Sequence, residues 1–146
     1  MVCLGNICRS PLAHGILESM TNPNNVFVDS AGTSSFHKGS EPDIRSIGVA
    51  EKHYLNIKNQ KSRQFIAADF EIFDIIYAMD ASNEKNILAL AKTEAQKNKV
   101  KLILNESNPN LNLEVPDPYY GGKNGFEDVY QMLYEACAII AKKTQP

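Results

Sequence analysis

Apolar, β-rich segments separated by stretches patterned for helix constrain this chain more than any other feature. Segments 26–28, 73–79 and 100–104 are short and rich in Val, Ile, Phe and Tyr, the residues that favour a pleated, half-buried surface. Helix signals lie between and around them. Ser10-Pro11 places a capping hydroxyl before a proline at the first helical position. Leu12, Ala13, Ile16, Leu17 and Met20 then share one face. Glu41-Pro42-Asp43 opens a second helix carrying Ile44, Ile47 and Val49, and Ser82-Asn83-Glu84 a third carrying Ile87, Leu88, Leu90 and Ala91. The last helix is expected over 126–142, with Val129, Met132, Leu133, Ala136, Cys137 and Ile140 as its buried stripe. Strands alternating with helices imply βαβ units and a mostly parallel sheet. The expected fold is therefore α/β: one three-layer domain over 1–146, with a four-stranded, mostly parallel twisted sheet flanked by helices on both faces. Ligands in such sheets bind beyond the carboxyl ends of the strands.

Length and charge narrow the function. A chain of 146 residues fits one domain of ~100–200 residues. Its 15 Lys+Arg against 17 Asp+Glu give a net charge of −2, so no basic footprint for nucleic acid is present. No apolar run approaches the ~20 residues of a membrane span. The start, Met1-Val2-Cys3-Leu4-Gly5-Asn6, has no basic region or sustained apolar core, so it does not read as a signal peptide and a cytoplasmic protein is expected. Three cysteines, Cys3, Cys8 and Cys137, are too few for a secreted disulfide scaffold. Cys137 falls on the apolar stripe of the last helix. His14, His37 and His53 form no metal-ligand spacing and read as helix-surface or loop residues, with His37 placed to touch a substrate beside Phe36. No metal or other cofactor is expected.

The segment Cys3-Leu4-Gly5-Asn6-Ile7-Cys8-Arg9-Ser10-Pro11 carries the chemistry. Gly5 and Asn6 tolerate left-handed backbone angles and let a short loop curl with its N–H groups inward, forming an anion nest. The following helix aims its positive end at the same point. Arg9 adds a planar, two-pronged donor for phosphate oxygens. Leu4, Gly5, Asn6, Ile7, Cys8, Arg9 and Ser10 are thus the expected phosphate-binding loop, and inorganic phosphate or sulfate is expected to fit it. Cys3 lies at the centre of this field, which favours its thiolate. A thiolate beneath a bound phosphate is a nucleophile aimed at phosphorus. Departure of an ester oxygen also needs a proton donor. Val115-Pro116-Asp117-Pro118-Tyr119-Tyr120-Gly121-Gly122 holds one carboxyl, Asp117, between two prolines. Glu114 lies before the first of these, so Asp117 is the expected acid. Burial under the tyrosines and nearby phosphate would raise its pKa toward that task.

The Cys3 string resembles the signature of the low-molecular-weight protein tyrosine phosphatases. So do Asp29-Ser30-Ala31-Gly32-Thr33, Gly39-Ser40-Glu41-Pro42-Asp43, Arg45-Ser46, Ser62-Arg63-Gln64, Ala78-Met79-Asp80, Ser82-Asn83 and Pro116–Gly122, in the family's order. The resemblance implies a cysteinyl-phosphate mechanism with Cys3 as nucleophile, Arg9 binding phosphate, and Asp117 as acid and then base. It also makes Leu4, Phe36, Tyr119 and Tyr120 walls of a substrate cleft for phosphotyrosine proteins or small aryl phosphates. The two tyrosines are also candidates for phosphorylation. Asn6, Ser10 and Ser30 are expected to hold the loop in shape, and Asp80 to be structural. Cys8 is spaced as the family's second loop cysteine, with either a regulatory Cys3–Cys8 disulfide or a buried thiol as its role. A monomer or weak dimer is expected. Only Met1 and Val2 precede Cys3, against several residues in the family, so either the start is clipped or the central strand is short.

Other readings are a non-catalytic phosphate or phosphopeptide binder, a thiol-type arsenate reductase and a phosphoarginine phosphatase. The reductase needs further mid-chain cysteines, which are absent between Cys8 and Cys137. Ile7 stands where arginine phosphatases carry Thr.

Overall fold

The computed structural model describes residues 1–122 and 124–146. Its centre is a four-stranded, wholly parallel sheet ordered β2-β1-β3-β4, with β1 Val2–Cys3, β2 Ala31–Gly32, β3 Ile76–Ala78 and β4 Val100–Leu102. The helices are α1 Arg9–Met20, α2 Ile44–Lys52, α3 Asp69–Ile72, α4 Ala81–Leu88, α5 Glu94–Lys97 and α6 Gly125–Thr144.

Strand side chains alternate between two cores, as the period-2 pleat requires. Val2, Ala31, Ile76, Ala78 and Leu102 pack with Phe65, Phe70 and Ile87 on the α3–α4 face. Cys3, Tyr77, Met79 and Ile103 face the larger cluster built on α1 and α6 with Leu12, Ile16, Leu133 and Ile140. The three-layer expectation holds.

Several element expectations are corrected. Segment 26–28 forms no strand; the ladder beside β1 sits at Ala31–Gly32. Its partner strand is Val2–Cys3, so pairing exists only opposite those residues. Val28 is buried in the core while Phe27, 72% exposed, stacks on Phe73 at 5.7 Å. The apolarity of 26–28 reflects packing, not ladder bonds. Segment 73–79 pairs only at Ile76–Ala78, because Phe73 still closes α3. Segment 100–104 turns into a 3₁₀ turn at Ile103. Neither α3 nor α5 is anticipated by the sequence; each is one turn long, too short for an amphipathic period to register. Ile44, expected on an apolar face, is exposed.

The strand order reverses direction between β1 and β3, with β2 on one side of β1 and β3–β4 on the other. A crevice opens beyond the carboxyl ends at such a switch point. Cys3 ends β1 and Asp80 follows β3, so both stand at its edge.

Candidate active site

The loop from Cys3 to Arg9 curls around its own cysteine. Asn6 takes φ 55°, a left-handed angle that Asn tolerates better than most residues. Its backbone N–H points back to Cys3 Sγ at 3.3 Å. Its side chain ties the loop in two directions: Nδ2 donates to Ser10 Oγ at 2.8 Å, and Oδ1 accepts from the Arg63 backbone at 3.1 Å. Ser62 Oγ donates to Gly5 O at 3.0 Å, the Asp43 amide to Ile7 O at 2.8 Å and Ser46 Oγ to Cys8 O at 3.2 Å. These outward bonds at the carbonyls hold the loop curled around the sulfur, with the Asn6 N–H directed at it. The loop also presses on β2: a Cβ at Gly32 would lie 2.7 Å from Leu4 O and 3.1 Å from Asn6 N. Only glycine fits there.

Helix α1 starts at Arg9 with Cys8 at its cap position. Ser10 is therefore not the expected cap. It sits inside the first turn, with its hydroxyl 3.1 Å from Cys3 Sγ. Arg9 is almost wholly buried, and its Nη1 donates to Asp80 Oδ2 at 2.6 Å and to Val115 O at 3.0 Å. Asp80 also caps α4 through its other oxygen, accepting from Asn83 N at 2.8 Å. The structural role read from the sequence thus extends to aiming the guanidinium.

Asp117 lies across the opening. Its Oδ2 is 3.8 Å from Arg9 Nη2, and its Oδ1 accepts from Tyr119 N at 3.0 Å, capping the 3₁₀ turn Pro118–Tyr120. Arg45 supports that turn: Nη1 donates to Tyr119 O at 3.3 Å, and the guanidinium lies 5.0 Å over the Tyr119 ring and 4.7 Å over Phe126. Its bonds to Asp43 hold that carboxyl below its ordinary pKa.

Together these residues enclose a cleft of about 400 Å³. Cys3, Gly5, Ile7, Cys8 and Arg9 form its floor, Asp117 stands at one side, and Leu4, Phe36, His37, Tyr119 and Tyr120 form the walls. Phe36 and Tyr120 are each 86% exposed and present ring faces to the cleft. Asn6 and Ser10 stand behind the floor rather than in it.

Ser30 does not reach the loop. Its hydroxyl meets His14 Nδ1 at 3.0 Å and Gln60 Oε1 at 3.4 Å, while Gln60 Nε2 donates to Pro11 O at 3.0 Å. It braces the first turn of α1 instead. His14 is accordingly half-buried rather than on an open helix surface, and desolvation lowers its pKa. The three cysteines are free thiols. Burial first, then Asp43 and Cys3, pushes the Cys8 thiol up to about 12, and burial does the same to Cys137. Among the described residues, no three His, Cys, Asp or Glu side chains cluster to hold a metal, and no helix is long and apolar enough to cross a membrane.

The contributions of Arg45, Ser46, Ser62 and Arg63 went unassigned from sequence. A signal was present for two of them, since Ser62 and Arg63 belong to a polar segment that no helix or strand pattern explained.

The site is thus a cysteine at a strand end, enclosed by its own loop, beside a buried arginine and opposite a carboxyl, and the chain that builds it matches a family model. The model for low molecular weight phosphotyrosine protein phosphatase covers residues 1–145. The chain belongs to this family. A Schizosaccharomyces pombe low molecular weight phosphotyrosine protein phosphatase is 38% identical over 92% of this chain and 88% of its own. The crystal structure of an Entamoeba histolytica protein tyrosine phosphatase with Hepes in its active site is similar at TM-score 0.87 and 36% identity, covering 97% of this chain and 92% of that one. Vibrio vulnificus Wzb in complex with benzylphosphonate is similar at TM-score 0.86 and 30% identity, over 97% and 94%. For this member of the family, the fold and the placement of Cys3, Arg9 and Asp117 form one continuous architecture.

Proposed function

We propose that this chain, as one catalytic unit over 1–146, is a protein tyrosine phosphatase acting on phosphotyrosine and aryl phosphate monoesters. The observation that carries the reading is the Cys3 sulfur at the floor of the 400 Å³ cleft, with Arg9 beside it and Asp117 facing Arg9 at 3.8 Å. Relatives similar in fold hold Hepes and benzylphosphonate, which supports a site for a tetrahedral oxyanion with an organic tail.

In the first step the Cys3 thiolate attacks phosphorus. The S–P bond forms, the P–O bond to the aryl group breaks, and Asp117 gives its proton to the leaving oxygen. Loop N–H groups and the Arg9 guanidinium receive the equatorial oxygens, where charge sits in the transition state. In the second step Asp117, now a carboxylate, takes a proton from water as the water oxygen attacks phosphorus. The S–P bond breaks, phosphate leaves, and the Ser10 hydroxyl 3.1 Å away donates to the departing sulfur. Leu4, Phe36, Tyr119 and Tyr120 admit a flat ring by apolar burial and ring contacts. Phosphate or sulfate occupies the loop when no ester is present. Free thiols in a buried setting fit a cytoplasmic protein, and a monomer or weak dimer suffices for this chemistry.

Aryl phosphate turnover with and without chelator tests the proposal. Turnover is expected to persist in chelator, since Arg9 and the loop amides supply the positive charge. Cys3→Ser is expected to abolish it while vanadate still binds. Vanadate binding with no hydrolysis by the unsubstituted protein would establish the binder reading instead. Preference for phosphoarginine over phosphotyrosine would establish the arginine-directed one.

A further inference from the structure

A second depression adjoins the cleft. It has a volume of about 380 Å³ and lies between α4 and the segment around Gln64, beyond the carboxyl ends of β1 and β2. Leu4 and Ser34 line both cavities, so Leu4, 51% exposed, is a ridge with the Cys3 floor on one side and this hollow on the other. Leu90, itself 43% exposed, forms the far wall. Phe65 and Ile87 close the base. Among the described residues, no ionisable side chain lines it. Its polar groups are the uncharged Thr33, Ser34, Gln64 and Asn86, and the Thr33 hydroxyl is buried without a hydrogen-bond partner.

From this continuity and this lining, we propose that the hollow is a subsite for the residue flanking phosphotyrosine in a peptide substrate, taking an uncharged, medium-sized apolar side chain. The inference rests on the phosphatase reading above. A peptide whose phosphotyrosine enters the cleft must run out over its rim, and Leu4 is the low wall shared with the neighbouring hollow. Leu4 and Leu90 then sandwich an aliphatic side chain. Asn86 offers its amide to the peptide backbone beside it, and Gln64, whose Nε2 donates to Thr33 O at 3.2 Å, offers its side-chain oxygen. A charged flanking residue is refused, because the hollow has no partner for the charge it would desolvate.

The test compares three substrates: a small aryl phosphate, phosphotyrosine peptides with Leu at each flanking position, and the same peptides with Asp there. The unsubstituted protein is expected to prefer Leu over Asp at one position by about ten-fold in kcat/KM, a modest return for partial burial of one aliphatic side chain. Leu90→Lys, which puts charge on the far wall, and Asn86→Trp, which fills the hollow, are each expected to erase that preference through KM. Turnover of the aryl phosphate should stay within about two-fold, since neither residue touches the cleft. Equal losses on the aryl phosphate and the peptides, or no flanking preference in the unsubstituted protein, would overturn the subsite while leaving the phosphatase reading intact. Absence of turnover on every substrate would overturn both.

Discussion

Replacing Asp80 by Asn removes one negative charge and almost no volume. The contact it alters is the 2.6 Å bond to Arg9 Nη1, whose side chain is 4% exposed against 19% for Asp80. Stripping one partner from a buried ion pair costs about 3–5 kcal/mol. The partial exposure of Asp80 and the second acceptor, Val115 O, place this case near the lower end, at about 3 kcal/mol. Asn retains an oxygen for the Asn83 amide, so the α4 cap survives. Asp80→Ala loses it as well, adding about 1 kcal/mol. At roughly 2–4 °C per kcal/mol for a chain of this size, Asp80→Asn should melt about 6–12 °C below the parent. Phosphate should close much of that gap, because the bound anion neutralises the guanidinium left uncompensated and stabilises by mass action. Thermal melts and urea unfolding of parent, Asp80→Asn and Asp80→Ala, each with and without saturating phosphate, measure all of these terms. A deficit below about 1 kcal/mol, or one that phosphate leaves unchanged, would refute the view that Asp80 compensates and aims Arg9.

Other perturbations separate the remaining parts of the site. Asn6→Ala removes the bonds to Ser10 and Arg63 and leaves a strained φ of 55°; a loss of about 2–3 kcal/mol and a fall in aryl phosphate turnover of about a hundred-fold are expected from unfolding and steady-state measurements. Asp117→Asn should slow esters with poor leaving groups far more than those with good ones, and equal slowing would remove it from the acid role. Iodoacetamide at neutral pH should label Cys3 and spare Cys8 and Cys137, whose thiols are both held up near about 12; peptide mapping, with Cys3→Ser as control, reads this. Burial lowers the His14 pKa below 6.5, so the unfolded chain takes up that proton first as pH falls. Its stability contribution is complete above about 6.5 and is lost below it, and urea midpoints across that window should slope less in His14→Gln.

Much of the site was legible because its chemistry is written in one unbroken loop. Cys3, Gly5, Asn6, Arg9 and the helix behind them are contiguous, and local backbone preferences alone bring them together. Asp117 was legible for a different reason, as the one carboxyl between two prolines. What escaped was long-range. Asp80 meets Arg9 across 71 residues, and Ser62 meets Gly5 across 57, distances at which no periodicity carries information. Ser30 was misplaced because its partners, His14 and Gln60, are set by helix rotation that sequence does not reveal. The strand at 26–28 failed for a thermodynamic reason. Apolar β-branched residues report burial, while a strand also requires a partner chain alongside, and β1 lies opposite Ala31–Gly32 instead.

The doubly anchored guanidinium of Arg9 has a kinetic corollary. With Asp80 and Val115 fixing one nitrogen, the other edge of the fork is held toward the cleft before any anion arrives. Rotamer freedom is surrendered during folding rather than at encounter. Capture of a small oxyanion should then proceed as a single diffusive event, with an observed rate that climbs linearly with anion concentration and never levels off at an isomerisation step.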